Sequence, residues 1–167
     1  SLGATPLLEL FKSAQSTHPL APQAIELSRN FDGDMKMDSA GALIFNAWVD
    51  QLSRKLFSRL GYLFTENYGA RNFRHPLILQ LQNPNSPWCN DPQTEQIESC
   101  ADASNAALDK ALEQLNAQFG SNPKNWKWGN AHLAVSEHRP LSKVPFLGSL
   151  FNLTQPFPGD SFSINVG

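Results

Sequence analysis

A chain of 167 residues, 41% hydrophobic and 17% charged, fits one globular domain or one piece of a larger one, able to bury roughly 70% of its unfolded surface. Its formal net charge of −2, with no basic stripe or charge run, gives a nucleic-acid partner no electrostatic footing. No apolar stretch approaches the ~18 residues of a membrane-spanning helix, so no membrane span is expected.

The opening Ser1-Leu2-Gly3-Ala4-Thr5-Pro6 has neither an initiator Met nor the basic and apolar regions of a signal peptide. The chain is therefore expected to start after processing, cleavage or trimming. The first helix is placed at Thr5, a good N-cap, with Pro6 at the first helical position; Leu7, Leu8, Leu10 and Phe11 supply its apolar stripe. His18-Pro19-Leu20-Ala21-Pro22 punctuates the chain, and a short second helix is read from Pro22 to Ser28. Phe31-Asp32-Gly33 reads as a turn, since Gly accepts positive φ and Asp bonds its own backbone. The strongest helix runs from Ser39 to Leu60, capped by Asp38 or Ser39. Phe45, Trp48, Val49, Leu52, Leu56 and Leu60 recur at three- and four-residue spacing, as one buried face requires, and Gly61 ends it.

Residues 61–82 are mixed, with a His75-Pro76 break and a helical turn within Leu77–Leu81. Residues 83–92 hold three prolines and three asparagines and read as a loop. A further helix is expected from Cys100 to Gln118, capped by Ser99 with Asp102 in a capping-box position; Leu108, Leu112, Leu115 and Phe119 form its stripe. Asn125–Glu137 alternates loosely and suggests short extended structure. Residues 139–160, with four prolines and two glycines, read as irregular. Ser161–Val166 alternates as a strand with no strong partner, which points to a piece of something larger. The expected class is mainly α with a short irregular or extended C-terminal part: a helical segment with a cysteine-bearing loop over residues 1–122, and an extended or irregular segment over 123–167. The latter would pack on the helices or on polypeptide outside this chain.

Candidate chemistry is sparse. Cys89 and Cys100, eleven positions apart, lack the ligand count of a zinc site. Either they form a disulfide tying the loop to the helix, or they are two reduced thiols; a disulfide would indicate an oxidising compartment such as the bacterial periplasm. Trp126 and Trp128 read as packing residues, with an acyl- or carbohydrate-binding platform as the alternative. His132 reads as a structural histidine, with substrate contact as the alternative. His18, His75 and His138 read as loop histidines. Asp32, Asp34 and Asp38 lack the ligand pattern of a calcium loop and read as turn and cap residues.

Five runs in order carry a resemblance. They are Phe31-Asp32-Gly33 ahead of Leu43-Ile44-Phe45 and Trp48; Trp88-Cys89-Asn90-Asp91 with Glu98-Ser99-Cys100-Ala101; Trp126-Lys127-Trp128-Gly129-Asn130-Ala131-His132 followed by His138-Arg139-Pro140-Leu141; Leu150-Phe151 with Pro156-Phe157-Pro158-Gly159-Asp160; and Ile164-Asn165-Val166-Gly167. This order resembles the penicillin acylase family, which includes acyl-homoserine-lactone acylases. Arg139 is inserted where the family has His-Pro-Leu. The resemblance implies an internal fragment of the β-subunit of an N-terminal-nucleophile hydrolase of αββα fold. In that family a Ser freed by self-cleavage attacks the amide with its own α-amine as base, and a backbone N–H and an Asn stabilise the oxyanion. The matched region lies downstream of those groups, so none of this chain's residues is assigned to catalysis. Ser1 is followed by Leu2 rather than the family's Asn and is read as a boundary. The motif residues Trp126, Trp128, Gly129 and His132 are assigned structural roles.

The partners implied are the remaining α and β chains of the acylase and, through them, a small acyl-amide substrate such as a β-lactam or homoserine lactone derivative, in antibiotic resistance or quorum quenching. The cysteine loop resembles that of periplasmic members. Family members can bind calcium, but no cofactor is assigned to this chain. The alternative is a free-standing periplasmic helical binding module without enzymatic activity.

Overall fold

A computed structural model describes residues 5–67, 74–92, 94–131, 133–136 and 153–156, and the described part is mainly helical. In chain order it comprises α1 (Thr5–Ser13), α2 (Ala21–Ser28), α3 (Ala40–Phe57) running into a 3₁₀ turn (Ser58–Leu60), α4 (Tyr62–Asn67), α5 (Arg74–Leu81) and α6 (Cys100–Phe119). A second 3₁₀ turn (Pro123–Asn125), the short helix α7 (Trp128–Ala131), and strands β1 (Leu133–Ser136) and β2 (Leu153–Pro156) follow. The strands pair antiparallel, with Leu133 opposite Pro156 and Ser136 opposite Leu153.

The architecture follows from α3. Gly41, Ala42, Leu43, Ile44, Phe45, Ala47, Trp48, Leu52, Ser53, Leu56 and Phe57 are all buried, more than one stripe can hold, so the helix needs cover on several sides. Helix α6 packs along it most extensively, and α2, α5, α7 and the second 3₁₀ turn contribute the rest. Phe11 from α1 meets Phe45 edge-on and Trp48 at a tilt, both with ring centroids 5.3 Å apart. Phe31 reaches Phe45 at the same distance. The indole N–H of Trp48 donates to the Ser104 carbonyl of α6 at 3.1 Å, which satisfies the one polar group of a fully buried ring.

Local chemistry sets the ends of these helices. Ser39, extended at φ −80° and ψ 117°, accepts from Ala42 N–H at 3.0 Å, so it and not Asp38 caps α3. At α6 the capping box is complete: Ser99 Oγ accepts from Asp102 N–H, and the Asp102 carboxylate accepts from Ser99 N–H at 2.9 Å. The Ser99 hydroxyl also donates to that carboxylate at 2.6 Å; this bond first, and the Ser99 N–H bond second, hold the Asp102 carboxyl below its ordinary value. Gly33 takes φ 97° in the turn before α3. A Cβ on Gly41 would lie 3.0 Å from Phe31 Cβ, so this glycine lets the Phe31 turn rest directly on α3.

Four expectations change, the first being that Leu153–Pro156, within residues read as irregular, is a strand paired with β1. His75-Pro76 does not break the chain: it lies in the first turn of α5, where Pro costs no helical hydrogen bond, so His75 is a helical residue rather than a loop one. Helix α4 falls in a stretch read as mixed. The extended reading of Asn125–Glu137 holds only for Leu133–Ser136, because Trp128 opens a helical turn. The N–H groups of Trp128 and Gly129 donate to the carbonyls of Ser39 and Met37, at 3.2 and 2.8 Å, rather than to a neighbouring strand. The expected strand at Ser161–Val166 lies outside the described residues.

Two tests follow. Trp48→Ala should cost about 3–5 kcal/mol in urea unfolding, whereas Ser104→Ala should leave stability unchanged or higher, because its buried hydroxyl has no partner among the described residues. Since Asp102 has a folded pKa below its unfolded one, its contribution is complete above the ordinary Asp value of about 3.9 and is lost as pH falls through the lowered value. Asp102→Ala should therefore flatten the acid limb of the stability–pH curve.

Candidate functional site

The motif-bearing residues gather at the two ends of α3. At its N-terminal end Trp126 and Trp128 are buried in the same core as the helices, at 0% and 4% exposure. Trp126 donates its indole N–H to the Gly120 carbonyl at 2.9 Å, closing the chain over the C-terminus of α6. Gly129 is buried beside Trp128 and bonds the Met37 carbonyl. No flat aromatic face is left open here for an acyl chain or sugar, so these residues clamp α3. His132, His138 and Ser1 lie outside the described residues.

At the other end, Cys89 and Cys100 are joined by a disulfide with Cα atoms 4.9 Å apart, and both are buried. The loop between them is anchored to the last turns of α3. Lys55 pairs with Glu98 at 3.0 Å, with both side chains about four-fifths buried. Glu98 accepts from Asp91 N–H, and its own N–H donates to Asn90 Oδ1. Arg59 donates to the carbonyls of Trp88 and Asn90, at 3.1 and 2.7 Å, and its guanidinium stacks 5.1 Å from the Trp88 ring. Every polar group named here is engaged with its neighbours, as a rigid structural loop requires.

The aspartates before α3 behave as turn residues. Asp32 accepts from Asp34 N–H at 3.0 Å, and that bond is the largest cause holding its carboxyl below the ordinary value. Asp34 faces Lys36 at 3.5 Å. Among the described residues no group of three or more His, Cys, Asp or Glu side chains could hold a metal ion.

One constellation escapes sequence reasoning. Ser16, His18 and Asp109 lie together, but Asp109 Oδ1 accepts from Ser16 Oγ and from the N–H groups of Thr17 and His18. Asn105 Oδ1 takes Gln15 N–H at 2.8 Å, and the His18 Nδ1 accepts from Leu20 N–H at 3.1 Å. The imidazole serves its own turn and not the Ser16 hydroxyl, so this is a loop-to-helix clasp rather than a nucleophile–base pair. Residues more than ninety positions apart carry no local sequence signal for it.

The described residues thus form a helical body in which the motif residues hold one end of α3 and the disulfide-bonded loop the other. The penicillin amidase family model matches residues 1–167, and the chain belongs to the penicillin amidase family. Among characterised proteins it is similar to the acyl-homoserine lactone acylase QuiP of Pseudomonas aeruginosa, with 25% identity over 139 residues covering 77% of this chain. The match covers 16% of that relative's length. No solved structure matches the chain significantly. Among the described residues no helix is long and apolar enough to cross a membrane.

Replacing both Cys89 and Cys100 with Ser should cost roughly 2–3 kcal/mol, as expected for so short a closed loop, read as a lower urea midpoint. Mass measurement of the untreated protein should show no thiol open to alkylation.

Proposed function

We propose that the chain is a supporting segment of the β-subunit of an N-terminal-nucleophile acylase. The parent would hydrolyse an acyl amide: water adds to the acyl carbon, the C–N bond breaks, and a carboxylic acid and an amine leave. The observation that carries this reading is the match of all 167 residues to one hydrolase family, joined to a relative of which they span 16%. The relative's name favours an N-acyl homoserine lactone over a β-lactam as substrate, and hence quorum quenching over antibiotic resistance.

In this reading catalysis belongs to polypeptide beyond these residues, and the segment holds neither a metal nor a cofactor. Its own contribution is mechanical: a core built round α3, with the Cys89–Cys100 loop and the tryptophan motif fixing its two ends. A buried disulfide persists in an oxidising compartment, which supports a periplasmic location.

The test compares the complete open reading frame with the 167-residue chain on long-chain acyl homoserine lactones and phenylacetyl amides. The complete enzyme should turn over one of these classes and the segment neither. In the complete enzyme Ser1→Ala should leave kcat within about twofold, because a residue that makes no contact in the transition state changes no barrier. Turnover by the segment that disappears with Ser1→Ala would overturn the reading.

A further inference from the structure

We infer that the His18 ring is a pH-operated cap for α2: uncharged, it holds the start of the helix, and on taking up a proton it lets go. The inference stands on the linker between α1 and α2 and does not depend on the reading of the parent as an acylase.

The bond at issue fixes where the ring's hydrogen sits. His18 Nδ1 accepts from the Leu20 N–H at 3.1 Å. A backbone N–H can only donate, so Nδ1 carries no hydrogen and the neutral ring keeps its one on Nε2. A second proton has one place to go, Nδ1, where it would meet the Leu20 hydrogen head-on. Both nitrogens of an imidazolium are donors, so the charged ring cannot accept this bond. The side chain is half-buried, within reach of solvent protons, and an imidazole is the side chain whose charge ordinarily changes between about pH 5 and pH 8.

The start of α2 has little to put in its place. Leu20 occupies the N-cap and makes no side-chain capping bond, where Ser, Thr, Asp or Asn would bring an oxygen. His18 supplies both acceptors instead: its carbonyl takes Ala21 N–H at 2.9 Å, and its ring takes Leu20 N–H. The ring lies two residues before the amide it holds, the spacing at which an Asn or Asp side chain closes an Asx turn. With eight residues, α2 is too short to be stable alone, so its first turn leans on this acceptor.

The surroundings leave the switch to one group. Residues 13–24 carry no other titratable side chain. The charges that face the linker are on α6: Asp109, whose Oδ1 takes Ser16 Oγ and the N–H groups of Thr17 and His18, and one turn further on Glu113, which Lys110 engages at 2.8 Å. The Asp109 bonds do not involve the ring. The linker therefore stays clasped to α6 while the start of α2 is released.

The test follows hydrogen–deuterium exchange in the full-length protein at about pH 8 and about pH 5. Fragmentation of the peptides resolves single amides, and each rate is corrected for its intrinsic rate at that pH. On acidification Leu20 should lose about tenfold in protection, the scale of one hydrogen bond, while Thr17, bonded to a carboxylate, should keep its own. In His18→Asn, whose amide oxygen accepts throughout this range, Leu20 should be equally protected at both pH values. In His18→Ala it should be unprotected at both. Four results would each overturn the inference: unchanged Leu20 protection in the unaltered protein, a parallel loss at Thr17, a loss in His18→Asn as large as in the unaltered protein, or an Asn variant no better protected than the Ala variant. Amide hydrolysis plays no part in this readout, so the inference and the acylase reading fail separately.

Discussion

The burial of α3 on nearly every side is the constraint from which the rest of the structure follows. Trp48, fully buried, could not sit there without a partner for its indole N–H, and the Ser104 carbonyl of α6 supplies one. That bond fixes the register of the two longest helices. Around it Phe11, Phe31 and Phe45 close into one aromatic cluster, which draws α1 and the turn before α3 onto the same core. The short helices are too brief to be stable alone, so they depend on this burial.

The ends of α3 are held by irregular chain, which is the harder physical task. Irregular backbone has no internal ladder, so its N–H and C=O groups need specific partners. At the N-terminal end the carbonyls of Met37 and Ser39 take the N–H groups of Gly129 and Trp128. At the other end Arg59 donates to two carbonyls of the cysteine loop, and Lys55 neutralises the largely buried Glu98. Arg suits this place, since its planar fork bonds two carbonyls while its face lies on Trp88. The family motifs in the described residues thus read as fastenings of one helix.

Helix periodicity and capping chemistry were legible in the sequence because both are local. Ser99 and Asp102 stand three residues apart, and the apolar stripe of α6 repeats on schedule, so that element lies within a residue of its expected span. The 3.6-residue stripe of α3 was equally plain. What was not legible depends on distant partners. The Trp128–Ala131 turn forms because residues ninety positions earlier offer it carbonyls, and no window around Trp128 contains that information. The clasp of Ser16 and His18 onto Asp109 is hidden for the same reason. The cysteine spacing allowed a bridge or two thiols, and only the approach of the loop to the start of α6 brings the sulfurs together. The His75-Pro76 pair misled for another reason: Pro marks a break or a first turn with equal ease, and the choice belongs to the residues after it.

Electrostatics argue in the same direction as packing. Among the described residues the groups whose pKa values move, Asp32, Asp102, Lys110 and Glu113, are all at the surface, and each moves because of a bond to a near neighbour in sequence. Catalytic acids and bases are tuned instead by burial and by charges brought from elsewhere in the fold. Shifts of the local kind stabilise a turn, a cap and a helix surface, and they leave the ionisation state of those groups insensitive near neutral pH.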